Sequence, residues 1–281
     1  MFGRQKSGAT ICPSCGKLVG VQEQECFYCG RRNPGMWGFS ALLRRAGADF
    51  GFTSIITWGC IALYIASLAL DPRAIGMNGL SSILSPSTKS LFLLGASGAI
   101  PVFRYDRWWT VLSAGWLHGN LLHIFFNLLW LRQLAPAVSE LYGASRAFVI
   151  YTAASIVGFL LSSLAGYIFY GIPVIGGAAF TVGASASIFG LLGALVHYGH
   201  RGGSSHIKSQ AMTYALVLFL FGFIMPNVDN YAHLGGFVGG YLTARILDPL
   251  RPERTDHFIA AIVCVALTIG SIVASIVTAI V

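Results

Sequence analysis

Beyond residue 50 the apolar positions do not alternate with polar ones. They gather into runs of close to 20 residues, the length an α-helix needs to cross the hydrocarbon core of a bilayer. Runs near 52–71, 111–134, 147–170, 183–199, 209–225, 230–247 and 258–280 predict seven spanning helices. The stretch 80–108 differs: it is apolar in patches (SLFLLGASGAIPVF) and broken by Gly, Ser and Pro. It reads as a long ordered loop lying at or partly in the membrane, where irregular backbone is tolerated only if protein buries it or water reaches it. Residues 1–50 are polar. No apolar stretch opens the chain, so no cleavable signal peptide is expected. The pattern divides the chain into a knuckle over 1–35, a linker over 36–50, a membrane core over 51–248, and a loop with one extra helix over 249–281.

Composition agrees. Hydrophobic residues make up 55% of the 281 residues and charged ones 10%, where a soluble domain carries about 25% charged residues. A water-soluble fold is excluded, and so are disordered, collagen-like and disulfide-scaffold chains: apolar content is high, Gly has no fixed period, and six Cys are few for this length. The fold class is an all-α polytopic membrane protein preceded by a small knuckle. The net charge of +8 would suggest nucleic acid in a soluble protein; here it reads as basic loops at the cytoplasmic face, with no nucleic-acid partner expected. With the N-terminus inside, 14 of the 18 Lys and Arg fall on inner segments and only Arg73, Lys89, Arg104 and Arg107 on outer ones. This predicts a cytoplasmic N-terminus and an outer C-terminus.

Cys12-Pro-Ser-Cys15 and Cys26-Phe-Tyr-Cys29 form two CxxC pairs ten residues apart. Two such pairs can present four thiolates to one tetrahedral Zn²⁺, giving a closed and therefore structural or docking site. Gly16 and Gly30 follow the pairs and suit tight turns, and Lys17, Arg31 and Arg32 favour thiolates. A cytosolic location disfavours the competing reading, a pair of disulfides. The knuckle could dock a cytosolic protein or position the core. Cys60 and Cys264 lie in apolar spans and read as packing residues.

Polar groups inside spans are costly and point to function. His123 and Asn127 are one helical turn apart on span two. Ser185, in Gly183-Ala184-Ser185-Ala186, opens span four, where free N–H groups and the helix dipole favour negative charge. His233 opens span six ahead of Gly236 and Gly240, a GxxxG pair that lets another helix approach closely. Spans two, four and six run in the same direction, so all four polar residues lie at similar depth in the outer halves. A nucleophile, a base and oxyanion donors together are the constellation of acyl transfer.

HxxxN (His123, Asn127), GxSx (Gly183–Ala186) and AHxxGxxxG (Ala232, His233, Gly236, Gly240), in this order over about residues 50–248, resemble the rhomboid intramembrane serine proteases. The resemblance implies a six-helix core, here with a seventh helix, and a Ser–His dyad without a third acid. Ser185 would be the nucleophile and His233 the base. Asn127, His123 and the Ser185 N–H would hold the oxyanion, and Phe189 would stack on the base. No cofactor is implied for catalysis. Substrates would be transmembrane segments of other proteins in the bilayer, with span five as a lateral gate and Pro226–Asp229 as a cap. An inner, plasma membrane is expected. Trp108-Trp109 resembles the family's loop motif, but Thr110 stands where Arg is usual, which suggests anchoring through Arg107. Gly95-Ala96-Ser97-Gly98 matches GxSG more literally, yet Ser97 precedes HxxxN and no helix is expected to start there, so it reads as loop structure. The alternative function is a non-catalytic adaptor that binds transmembrane segments; a transporter is disfavoured by the absence of paired acids in the spans.

Overall fold

The computed structural model describes residues 4–45, 49–77, 79, 82–172, 175–225 and 227–280. Strands β1 (Ala9–Ile11) and β2 (Leu18–Gly20) pair antiparallel around the first CxxC turn. A short helix α1 (Ser40–Arg45) follows. Seven long helices then form the bundle: α2 (Phe52–Ala69), α5 (Leu121–Tyr142), α6 (Ala144–Ile168), α7 (Ser185–Arg201), α8 (Ser205–Ile224), α9 (Asn230–Ile246) and α10 (Thr255–Ile280). Two short helices, α3 (Thr88–Leu94) and α4 (Thr110–Ser113), lie between α2 and α5.

All seven expected helices are present, but they divide into two kinds. Five of them, α2, α5, α6, α8 and α10, are long and apolar enough to cross a membrane. The other two, α7 and α9, have 17 residues each and pack most closely on each other, α9 also on α6 and α7 on both α6 and α8. Helix α7 is sheathed by protein along most of its length and needs neither the length nor the continuous apolar surface of a lipid-facing helix, whereas α9 buries its glycine face and leaves the stripe Leu234, Val238, Leu242 and Ile246 outward. Helices α8 and α10 are the converse: most of their surface faces outward, as Leu216, Leu220, Phe223, Ile262 and Val273 illustrate.

Span two is placed differently from expectation. Helix α5 starts ten residues later than predicted, because Asn120 caps it by accepting the His123 N–H at 2.7 Å, and residues 110–116 form α4 and a 3₁₀ turn instead. It also runs through Pro136 to Tyr142. The proline removes one intrahelical bond, while buried Leu131, Leu134, Val138 and Tyr142 keep the face on the core. Arg132 therefore lies within a helix and not in an inner loop.

Of the loop expected over 80–108, residues 80 and 81 lie outside the described residues; 82–108 are ordered, as expected, but more helical, containing α3 and a π-helical turn at Ile100–Arg104. Its order comes from distant partners. Ser97 and Thr181 exchange both backbone hydrogen bonds (3.1 and 2.8 Å), and Ala99 and Ile100 donate to the carbonyls of Ala178 and Ala179.

The two ends of the bundle differ. The start of α6, the ends of α7 and α9, and the segment before α10 meet at the knuckle end: Arg146 Nη1 donates to the carbonyls of Leu247, Asp248 and Arg251, and Arg201 pairs with Asp248 at 3.4 Å. The starts of α5, α7 and α9 lie at the opposite end, with the candidate site.

Candidate active site

Helix α7 begins at Ser185 with no side chain capping it, whereas α3, α5, α8 and α9 each begin under a side-chain cap from Ser87, Asn120, Ser204 and Asp229. The first N–H groups of a helix have no partner within it, so the α7 start can accept negative charge. Half-buried Ser185 places Oγ 2.9 Å from His233 Nε2. A hydroxyl donating to that nitrogen requires a neutral imidazole with its proton on Nδ1. The ring is 7% exposed and lies on Phe189, with centroids 4.2 Å apart and planes at 14°. Stacking fixes the ring plane where a carboxylate would otherwise do so.

The close approach of α9 to α7 makes this contact. A Cβ on Gly236 would meet the Ala186 carbonyl oxygen at 2.1 Å, and one on Gly240 the Gly190 oxygen at 2.2 Å. Both predicted packing glycines thus face backbone. Gly190 and Gly158 complete the same seam against Ala154 and Ala232. Asp229 aligns the start of α9: Oδ1 accepts the Ala232 N–H at 3.0 Å and Oδ2 accepts from Ser162 Oγ of α6 at 2.5 Å.

His123 and Asn127 face the residue that precedes this helix start. Gly183 has φ +133°, and a Cβ there would lie 2.5 Å from His123 Nε2 and 3.8 Å from Asn127 Nδ2. Gly183 is thus required twice, for its conformation and for the close approach. His123 Nδ1 accepts the Gly119 N–H at 3.3 Å, which leaves Nε2 directed at the Gly183 backbone. One amide hydrogen of Asn127 goes to the His123 carbonyl at 2.9 Å. Buried His118 lies edge-on to His123 at 5.2 Å. Sequence reasoning gave no role to His118, counted Gly183 only as part of the GxSx motif, and placed Asp229 in a cap over the site, although the Asp229-to-Ala232 spacing is that of an N-cap.

The second GxS site is structural. Ser97 is fully buried, and its Oγ lies 3.3 Å from Thr110 Oγ1 and 3.4 Å from Ser163 Oγ. The expectation that no helix starts nearby needs correction, because the Ile100–Arg104 turn does. Its leading N–H groups are nevertheless occupied by the carbonyls of Ala178 and Ala179.

The loop is anchored through Arg107. Its guanidinium is buried, donates to the carbonyls of Phe92 (2.8 Å) and Ser275 (2.6 Å), and sits 4.2 Å above the Phe92 ring. Trp109 Nε1 donates to Ser275 Oγ at 3.1 Å, and Ser271 Oγ donates to the Trp109 carbonyl. The last helix thereby clasps the loop. Of the expected cap, Pro226 lies outside the described residues; Asn227, Val228 and Asp229 lead directly into α9.

At the far end, the sulfurs of Cys12, Cys15, Cys26 and Cys29 lie within 4.8 Å of one another, and all four are free thiols. Cys12–Cys29 and Cys15–Cys26 are 3.8 and 3.7 Å apart. A tetrahedral centre with metal–sulfur bonds of about 2.3 Å separates its sulfurs by about 3.8 Å, so the donor set fits a metal ion. Gly16 and Gly30 take φ +72° and +70° and close the two turns, as expected. Burial pushes the Cys29 thiol up to about 12. At Cys26 burial acts upward too, but backbone N–H groups of Tyr28 and Cys29 outweigh it and bring the thiol down to about 7. Arg31 was expected to support the thiolates; its guanidinium instead pairs with Glu253.

The Rhomboid domain model matches residues 105–249. The chain is 30% identical over 190 residues to Rhomboid protease GluP of Bacillus subtilis, covering 66% of this chain and 35% of that protein. It is 29% identical over 198 residues to RHOMBOID-like protein 1 of Arabidopsis thaliana, covering 69% and 47%. A further relative, Inactive RHOMBOID-like protein 8 of Arabidopsis thaliana, is 30% identical over 161 residues, covering 56% and 43%. The matched region thus spans between about a third and a half of the length of these relatives. With half of its residues matched by the domain model and the motif-bearing helices inside the matched stretch, this integral membrane chain belongs to the rhomboid family.

Proposed function

We propose that the chain is an intramembrane serine endopeptidase in which Ser185 is the nucleophile and His233 the general base. The observation that carries this reading is the 2.9 Å contact between Ser185 Oγ and His233 Nε2. A name such as that of the inactive relative makes family membership alone insufficient; a nucleophile held against a base supports the active reading. Ser185 Oγ attacks the scissile carbonyl carbon while its proton passes to Nε2. The oxyanion is received by N–H groups at the uncapped α7 start, by the second Asn127 amide hydrogen, and by His123. Collapse of the intermediate sends the proton to the leaving amine and leaves an ester on Ser185. Water then attacks that ester with His233 again as base, releasing the acid and restoring the serine. With stacking on Phe189 in place of a carboxylate, the imidazole gains orientation but no charge partner, so turnover is expected to be slow.

The substrate class is a transmembrane segment of another protein. Its route is past α8, which is little buried in the bundle and is the element most able to move sideways. The positive-inside pattern supports a cytoplasmic N-terminus and an outer site, the membrane being taken as a plasma membrane, and the knuckle end gathers Arg31, Arg32, Arg146, Arg201 and Arg251. Zinc suits four sulfurs in tetrahedral array. The test is cleavage of a reporter transmembrane segment in liposomes by wild type and Ser185→Ala. Cleavage by wild type alone is expected; equal cleavage by both rejects Ser185 as nucleophile, and cleavage by neither favours the adaptor reading.

A further inference from the structure

Glu253, in the segment between α9 and α10, is 1% exposed and bonded on three sides. Its N–H donates to Ser14 Oγ at 3.0 Å, within the first CxxC turn. Its Oε2 accepts from Arg31 Nη1 at 3.2 Å, just after the second CxxC turn. Its Oε1 accepts the N–H groups of Ser145 (2.8 Å) and Arg146 (3.1 Å), capping α6 from more than a hundred residues away. Thr255 Oγ1 adds a bond to the Arg32 carbonyl at 3.0 Å. The fit is close: a Cβ on Gly143 would meet the Glu253 carboxylate at 2.7 Å. One residue is therefore held by both halves of the knuckle while it holds the start of a core helix.

Away from the cysteines, the first half is tied to the segment after the second by Arg4 Nε to the Trp37 carbonyl, the Gln5 N–H to the Gly38 carbonyl, and Thr10 with Ser40 at 2.8 Å; none of these bonds joins the two cysteine turns to each other. Their apolar core is Cys12, Val19 and Cys26, flanked by Cys15 and Cys29, and the sheet has three residues per strand. Units below about 40 residues need a metal, disulfides or a partner to hold together. Here all four sulfurs are free, so a bound metal is the link that sets the spacing between Ser14 and Arg31. We infer that the knuckle's docking partner is the chain's own membrane core, and that a metal on the four cysteines assembles the receptor for Glu253. Metal occupancy then tightens the start of α6 and the seat of α10. The face bearing Ser14 and Arg31 is filled by Glu253, so it is not the place where a second protein binds. This inference stands apart from the protease reading, since neither Ser185 nor His233 enters it.

Coupling of this kind is reciprocal: if the metal strengthens docking, docking strengthens metal binding by the same factor. The full chain, purified in detergent and loaded with zinc, tests both directions. Helical melting is followed with and without chelator, and zinc loss is followed against a competing chelator, for wild type, Glu253→Gln and Ser14→Ala. Chelation is expected to lower the wild-type midpoint. Glu253→Gln should lose zinc at roughly tenfold lower chelator and show little further fall in midpoint on chelation. Ser14→Ala, which keeps the buried Arg31–Glu253 pair, should move both readings in the same direction by less, and it decides the matter if Glu253→Gln does not fold. Three results overturn the inference: a wild type that takes up no metal through the cysteines, a core midpoint indifferent to chelation, or variants whose zinc retention and chelation shift equal those of wild type.

Discussion

Two loops in this molecule carry nearly the same four residues. Gly95-Ala96-Ser97-Gly98 and Gly183-Ala184-Ser185-Ala186 both present a serine after Gly-Ala, and the segments lie side by side through the Ser97–Thr181 bridge. Ser97 is fully buried among the hydroxyls of Thr110 and Ser163, and the N–H groups that follow it are taken by carbonyls. Ser185 is half-buried, faces an imidazole, and opens a helix with no side-chain cap. The chemistry of a serine is therefore set by what the backbone beyond it leaves unpaired and by which side chain a neighbouring helix delivers. The motif spelling carries neither piece of information.

Removing the reactive pair gives the largest effect. Ser185→Ala and His233→Ala are each expected to reduce cleavage of a reporter segment in liposomes by at least about 10³-fold. The double variant should be no worse than the singles, because groups that act as one unit do not add. An additive double variant would mean that the two residues act separately. Asn127→Ala comes next, at about 10²-fold in kcat with little change in KM, the signature of a donor used mainly in the transition state. A rise in KM alone would make Asn127 a substrate contact and leave the oxyanion to the α7 backbone.

The seam that brings the helices together can be broken without touching the reacting atoms. Gly236→Ala puts a methyl where the Ala186 oxygen would stand 2.1 Å away, so α9 must retreat from α7. Overpacking of this kind costs about 1–3 kcal/mol, read as a lower melting midpoint in detergent, and it should be accompanied by loss of cleavage because His233 moves with the helix. The same change at Gly270 inside α10, where a Cβ meets nothing within 4 Å, should leave cleavage unchanged and hold or slightly raise the midpoint, because Ala favours a helix over Gly.

The parts of this architecture that sequence exposes are those encoded at short range. HxxxN and AHxxGxxxG lie within single helices, so their faces and the glycine seam follow from helical period alone. The paired CxxC turns are likewise local. Helices α7 and α9 were legible as helices, but the sheathing of α7 by its neighbours is a property of the assembled bundle, and it is what allows that helix to be short. Order in the loop before span two was expected from sequence, but the distant partners that supply it over 82–108 were out of reach for the same reason. Arg107 is anchored by Ser275, 168 residues away, and Arg31 by Glu253, 222 residues away. No periodicity links such positions.

The smallest expected effect discriminates best between the two serines. Ser97→Ala removes a buried hydroxyl whose partners are other hydroxyls at 3.3 and 3.4 Å. Thr110 Oγ1 retains its bond to the Arg107 carbonyl at 2.7 Å, and the Ser97 backbone pairing with Thr181 is untouched by a side-chain change. Loss of one neutral buried hydrogen bond is worth about 1 kcal/mol, so the melting midpoint should fall slightly while kcat/KM stays within about twofold of wild type. Serine-directed fluorophosphonate labelling should follow the same division, surviving Ser97→Ala and vanishing in Ser185→Ala. If Ser97→Ala instead abolished cleavage with its fold intact, the uncapped helix start and the imidazole would not be what separates the two loops, and the 2.9 Å contact at Ser185 would have to be reassigned to helix packing.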